Sequence, residues 1–280
     1  MLAVAAALYS TALTAEELLE ETVLSDMDWQ PIKAIPLAEQ DLVCRQCGGR
    51  YADPLASADL TQSPTEADLE VYADDTEVTE GEMLFTGNVS LKQGYRQVTA
   101  DRVTADRPKE TATATGNVVF REPGILIRGS RIDYDSQLEE AVVSNAHYVI
   151  HDRRMIGAAD QLTRSGNGEI AIEDGRMTYC SPDDPDWVLH ANNIEIDPDS
   201  GDAQAWGAKL EVANVPILYL PWIRFPVDSR RKTGLLFPDI GSDTRGGIDI
   251  TAPIYFNLAA NYDLLYRPRY IQERGFLHQG

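Results

Sequence analysis

Residues 115–135 read TGNVVFREPGILIRGSRIDYD. Two runs rich in β-branched and aliphatic residues flank Glu122–Pro123–Gly124, a turn tripeptide in which glycine supplies the positive φ that tight turns need. Within each run every second residue can face one side, as in a half-buried strand. The stretch is therefore a two-strand unit. It is also repeated, because TGNV occurs at 86–89 and again at 115–118, a spacing of 29. At that spacing Val89 and Leu91 align with Val118 and Phe120, then with His147 and Val149. Val98 aligns with Ile127 and Ile156, Ala100 with Gly129 and Ala158, Val103 with Ile132, and Ala112 with Ala141 and Ile170. One unit cannot bury its own apolar side, but stacked units form a continuous ladder with a shared interior. The aligned apolar positions predict an interior lined by Val89, Leu91, Val98, Val118, Phe120, Ile127, His147, Val149 and Ile156. Small residues at Ala100, Gly129 and Ala158 leave room within it. Periodicity alone fits a solid core as well as a channel.

Downstream, residues 215–238 read VPILYLPWIRFPVDSRRKTGLLFP, with prolines at 216, 221 and 226. A helix or a central strand would lose hydrogen bonds at each ring. The segment is predicted to be extended chain lying on an apolar or amphipathic surface, and Arg230, Arg231 and Lys232 follow as they do at a lipid interface. Residues 239–276 then alternate like two outer-membrane barrel strands joined by a turn. A hairpin in a soluble sandwich has the same pattern.

Charge is unevenly placed. The chain carries −21 overall, yet residues 215–280 hold eight Lys/Arg against six Asp/Glu. Residues 16–80 hold seventeen acids and three bases, a composition that predicts a flexible acidic arm. Such acidity disfavours nucleic acid and any capture of a lipid mainly through its phosphates. Residues 2–15, LAVAAALYSTALTA, have the apolar run and small residues of a signal-peptide remnant without its basic flank; an ordinary N-terminal helix is the alternative.

The blocks PILYLPWIRFPVDSRRKTGLLFP and APIYFNLAANYDLLYRPRYIQERG, with YCSPDDPDWVLHANNIEID at 179–197, resemble the LptD (OstA, Imp) family of lipopolysaccharide-assembly outer-membrane proteins. The resemblance covers roughly residues 81–280. It implies an all-β chain: an LptA-like β-jellyroll of stacked short strands over 75–214, then the first strands of an incomplete outer-membrane β-barrel over 215–280. The expected parts before them are the signal remnant at 1–15 and the acidic arm at 16–74. The resemblance further implies a hollow interior that carries acyl chains, an LptA-type periplasmic bridge docking near the N-terminal edge, and an LptE-type lipoprotein plug for the whole barrel. It places the protein in the Gram-negative outer membrane with its N-terminal domain in the periplasm. Two strands cannot close a barrel, so the chain is expected to be part of a longer protein.

Three cysteines, Cys44, Cys47 and Cys180, are present. A lone C-x-x-C without a second pair is short of a zinc site, and an exported chain oxidises its thiols. The resemblance implies that one of Cys44 and Cys47, and also Cys180, pair with cysteines far beyond residue 280; a local Cys44–Cys47 bond is the alternative. It likewise implies a lateral gate at Pro238 and Pro253, where proline weakens strand pairing; strand termination is the plainer reading. Asp133 and Asp135 lie two apart on a strand, but acids are too common here for the pair to signal catalysis. No cofactor-binding motif is found, and no enzyme is expected. The other functions compatible with the pattern are a soluble LptA-like carrier and a β-solenoid adhesin.

Overall fold

A computed structural model describes residues 27–40, 48–61, 63–178, 185, 187–226, 232–236, 239–243, 247–259 and 261–279. Most of them are strand. A small hairpin comes first, β1 (Trp29–Pro31) against β2 (Gly49–Tyr51). One large antiparallel sheet follows. Its strands are β3 (Leu69–Tyr72), β4 (Asp75–Val78), β5 (Glu82–Gln93), β6 (Arg96–Asp106), β7 (Thr111–Glu122), β8 (Ile125–Asp135) and β9 (Glu140–Ile150), continued by β10 (Met155–Arg164), β11 (Ile170–Thr178), β12 (Trp187–Asp197), β13 (Asp202–Val212) and β14 (Val215–Pro226). From β5 to β14 each strand pairs with its sequence neighbours, and β3 and β4 together cover the free side of β5. Apart from the β11–β12 link, most of which lies outside the described residues, the connections from β5 to β14 are short turns, so the sheet is assembled from local pairings. Each 29-residue repeat is one strand pair.

The TGNV motif marks where these strands bend. Gly87 and Asn88, then Gly116 and Asn117, have positive φ, and the register slips between Thr86 and Val89 and between Thr115 and Val118. These are bulges, which bend a strand and increase its twist. The bend brings apolar residues on both sides of it onto one inner face. Asn88 donates its side-chain amide to Asp74 at 2.8 Å, and Asn117 does the same to Asp101 at 2.9 Å. The same stitch therefore recurs one strand pair along. At Gly116 a Cβ would lie 2.4 Å from Asp101 Oδ2, on a backbone at φ 75°. Gly116→Ala is expected to cost about 1–2 kcal/mol or more, because an L residue is strained there even before the clash. Urea unfolding beside wild type measures it, and an unchanged midpoint would remove the bulge from this role.

The inner face holds two clusters. Val89, Ala100, Val103, Ala114 and Val118 form one across β5 to β7. Val143, Ala146, Tyr148, Ala159, Leu162, Ile172, Ala191, Ile194, Ala205 and Ala208 form the other across β9 to β13. Ile132 of β8 packs against both.

The segment with three prolines corrects its sequence reading. Residues 215–226 do not lie alone on a surface; they are β14, paired with β13 as the terminal strand of the large sheet. An edge strand needs ladder donors on one side only, so proline is tolerated there as it would not be in a central strand. Residue 215 is accordingly no boundary of the sheet. Beyond it, β15 (Gly234–Leu235), β16 (Asp239–Asp243), β17 (Gly247–Thr251), β18 (Ile254–Ala259), β19 (Tyr262–Ile271) and β20 (Gly275–Gln279) make a separate antiparallel sheet. Both β17 and β18 pair with β19.

A second correction concerns residues 27–40 and 48–53, read above as part of a flexible acidic arm. Met27 and Tyr51 are buried with Leu126 and Val149 on the outer face of the large sheet, and Trp29, Val119 and Ile156 pack around them. Leu126 and Val149 have no exposed surface. Composition misses this because a few apolar residues, spaced along an acidic segment, suffice to dock a short hairpin.

Candidate functional site

The inner face carries the two larger apolar clusters among the described residues. Across strands it is organised in rows. One runs Val71, Leu91, Val98, Phe120, Ile127, Tyr148, each directly opposite the next. Another runs Phe85, Val103, Ala114, Ile132, Val143, Leu162, Ile172, Ile194, Ala205, Ile223. Between them the bend is floored by small residues: Ala100, Ala146, Ala159 and Ala191 are all buried.

Burial along these rows is unequal in a telling way. From β5 to β8 the small floor residues are sealed, but the larger Leu91, Val98, Phe120, Ile127 and Ile132 remain half-buried; further along the rows Tyr148, Val143, Leu162, Ile172 and Ile194 are buried. Two of the four largest fully buried side chains, Leu126 and Val149, lie instead on the outer face beneath the N-terminal hairpin. From β5 to β8 the inner face is thus an apolar trough with a small-residue floor. At one end Arg96 donates to Glu122 at 2.6 Å and its guanidinium lies 6.0 Å from the Phe120 ring.

Six of the nine predicted lining residues stand on this face: Val89, Leu91, Val98, Val118, Phe120 and Ile127. Three do not. His147 is exposed opposite Arg128, and Val149 and Ile156 pair with each other inside the outer cluster. The cause is a single residue. The bend of β7 uses Thr115, Gly116, Asn117 and Val118, whereas that of β9 uses only Ser144, Asn145 and Ala146. Asn145, at φ 50°, donates to Ser130 Oγ at 2.9 Å and so takes the place of Asn117. Beyond it the strand is one residue out of step with the 29-residue spacing. A slip of one sends every side chain to the opposite face. Ala146 and Tyr148 therefore take the inner positions assigned to His147 and Val149, Gly157 takes that of Ile156, and Ala159 replaces Ala158 as the small inner residue. The shortened SNA motif at 144–146, set against TGNV, was the signal available in the sequence.

Cys44, Cys47, Cys180 and Pro238 lie outside the described residues. Pro253 stands between β17 and β18, and its carbonyl accepts a hydrogen bond from the Leu236 amide at 2.8 Å. Asp133 accepts from Thr113 at 2.7 Å and from Arg131, whose hydrogen bonds hold the carboxyl below its usual range. Asp135 caps the turn amides of Gln137 and Leu138. Both carboxylates are thus engaged in structural hydrogen bonds.

Sequence reading missed the polar clasp beside the outer cluster. Asp28, at φ 60°, takes Arg121 at 2.5 Å and His151 at 3.0 Å on its carboxylate. Asp53 accepts the Gly124 amide at 2.6 Å. Burial works against the charge on Asp28, but hydrogen bonds from His151 and Arg121 outweigh it and hold the carboxyl below its ordinary value. Burial also disfavours a charged His151. The hydrogen bond to Asp28, the Gly124 carbonyl and the nearby Asp53 carboxylate outweigh that, and the imidazole is raised above its ordinary value.

Residues 70–202 match the family described as LptA/(LptD N-terminal domain) LPS transport protein. The LPS-assembly protein LptD of Saccharophagus degradans is 38% identical over 239 residues, which are 85% of this chain and 28% of that protein. That of Hahella chejuensis is 33% identical over 259 residues, 90% of this chain and 32% of that protein. The chain thus spans about a third or less of the length of these relatives. LptH of Pseudomonas aeruginosa, an LptA homologue of known structure, aligns at 20% identity with a TM-score of 0.33, over 36% of this chain and 78% of that one.

Proposed function

The chain belongs with the LPS-assembly proteins LptD through its LptA/LptD N-terminal domain, and from that premise we propose that its inner trough carries the acyl chains of lipopolysaccharide toward the outer membrane. The observation that carries this reading is the half-burial of Leu91, Val98, Phe120 and Ile127 above a floor of alanines. Moving one methylene out of water is worth roughly 0.8 kcal/mol, so several long chains are held without any cation. That suits a protein of net charge −21, which would repel the lipid's phosphates. The role is transport, not catalysis. Photo-crosslinkers on the two faces of one strand test it.

In this reading the lipid arrives from an LptA-type periplasmic bridge. The free side of β3 and β4, at the N-terminal end of the sheet, offers unpaired backbone groups to which another chain can add a strand. It leaves at the other end. There Val215, Tyr219 and Trp222 are 58%, 62% and 51% exposed, with Arg224 and Lys232 bound to Asp202 alongside. Exposed aromatics beside cations suit the interfacial zone of a membrane. The strands from residue 234 onward then open the outer-membrane barrel, which in the whole protein encloses an LptE-type lipoprotein plug. Cys44, Cys47 and Cys180 fit a role in tying the N-terminal region to that barrel. Pro238 and Pro253 fit its weak lateral seam.

Restoring a ladder donor at the seam should strengthen it. Pro253→Ala and Pro238→Ala in the whole-length protein are expected to slow appearance of lipopolysaccharide at the cell surface several-fold, since a proline removes one ladder hydrogen bond worth about 1 kcal/mol. Surface labelling after a pulse reads it out. Export at the wild-type rate would leave both prolines as strand terminators only.

A further inference from the structure

The N-terminal hairpin has a position that the transport reading does not use. Its outer-face cluster takes Val119 from β7, Leu126 from β8, Val149 from β9 and Ile156 from β10. On the opposite face one inner cluster ends at β7 and the other starts at β9, with only Ile132 packed against both. The hairpin therefore lies across the place where the inner packing is thinnest. Beside the apolar contact, Asp28 enters between Arg121 of β7 and His151 of the turn before β10. The Asp28 carbonyl also accepts the Ala52 amide at 2.9 Å, which joins the clasp to the second strand of the hairpin. His151 and the Asp28 side chain are both buried, 4% and 9% exposed.

We propose that this hairpin is an acid-tightened latch that splints β7 to β10 from outside and loosens as pH rises. The charged groups around the clasp are Asp28 and Asp53 on the hairpin side, Arg121 on β7, and Asp152 in the turn next to His151. With His151 neutral, Arg121 is the cation bonded among those carboxylates, at Asp28. With His151 protonated, the imidazolium joins Arg121 in facing them, and the His151–Asp28 hydrogen bond becomes charge-assisted, roughly twice as strong as a neutral one, while its Nδ1, buried without a hydrogen-bond partner, offsets part of that gain. Docking raises the His151 pKa, so this added strength is complete below the ordinary imidazole value of about 6.5 and is lost as pH climbs through the docked-state value. Docking lowers the Asp28 pKa, so its contribution is complete above the ordinary carboxylate range and is lost as pH falls through the docked-state value. The latch is tightest between those limits, in mild acid.

The latch does not depend on what the trough carries. Hydrogen exchange of the Arg50, Tyr51 and Ala52 amides in the whole chain, held in detergent and corrected for intrinsic rates, reads its opening directly. Protection is expected to be about fivefold higher at pH 5.5 than at pH 8, the difference between a charge-assisted and a neutral hydrogen bond. His151→Gln should keep the pH 8 level of protection at both pH values. Asp28→Asn should lower protection at both. Equal protection at the two pH values in wild type, or the wild-type ratio surviving in His151→Gln, overturns the proposal. If His151→Gln abolishes docking altogether, the imidazole titration of wild type by NMR decides. A His151 titrating above the ordinary value, and falling back in Asp28→Asn, supports the latch; one at or below that value overturns it.

Discussion

A photo-crosslinking residue placed at Phe120 or Ile127 of the whole-length protein is expected to capture lipopolysaccharide in cells, and one placed at Arg121, Arg128 or Val149 is not. All five positions lie within three neighbouring strands, so they share chain environment and expression level. They differ in the face they occupy. Phe120 and Ile127 are directly opposite each other in the inner row, half-buried over the alanine floor. Arg128 and Val149 belong to the other side, Val149 wholly covered by the hairpin, and Arg121 is bound to Asp28 there. An acyl chain of a dozen methylenes gains roughly 10 kcal/mol on leaving water. Against that, the outer face at these positions is already taken by the hairpin and its ion pair to Arg121, so capture should differ by tenfold or more. Equal capture on both faces would end the trough reading, and capture at Val149 alone would move the site to the hairpin.

Leu126→Ala should be among the most damaging single changes to stability. Leu126 has no exposed surface and is held between β8 and the hairpin residues Met27 and Tyr51. Truncating such a leucine removes its transfer energy and leaves a cavity, together about 2–5 kcal/mol. The neighbouring outer-face contacts cannot collapse into that space without lifting the hairpin off the sheet. Leu138→Ala is the matched control, being a leucine 64% exposed in the β8–β9 turn, where a surface change should stay within about 0.5 kcal/mol. Urea unfolding of both variants measures the difference. A Leu126 cost no larger than the Leu138 cost would mean that the hairpin adds little to the fold.

Legibility in the sequence followed how local the interactions were. The strand pairs, their turns and the TGNV bend could all be read, because each is decided by residues within about thirty of one another. The inner positions of β5 to β8 followed from the same repeat. The reading failed at His147, Val149 and Ile156, where the bend of β9 lacks one residue and alternation inverted everything after it. It failed again at 215–226, because proline excludes a central strand but not an edge, and only the whole sheet shows which strand is last. The docked hairpin was missed for a different reason. Asp28 meets Arg121 and His151 across 93 and 123 residues of chain, and no local pattern marks that approach.

By itself, then, the sequence determined that this chain is a repeating antiparallel β structure with one apolar side, since period-two alternation and turn chemistry are properties of short segments. Tertiary structure alone decided that from β5 to β8 this side keeps half-buried walls, and that the opposite face is clasped by residues 27–29 and 51–53. The physical reason is that face and burial depend on the accumulated register of every preceding strand. One residue added or removed at a bend carries through the rest of that strand, and composition holds no trace of it.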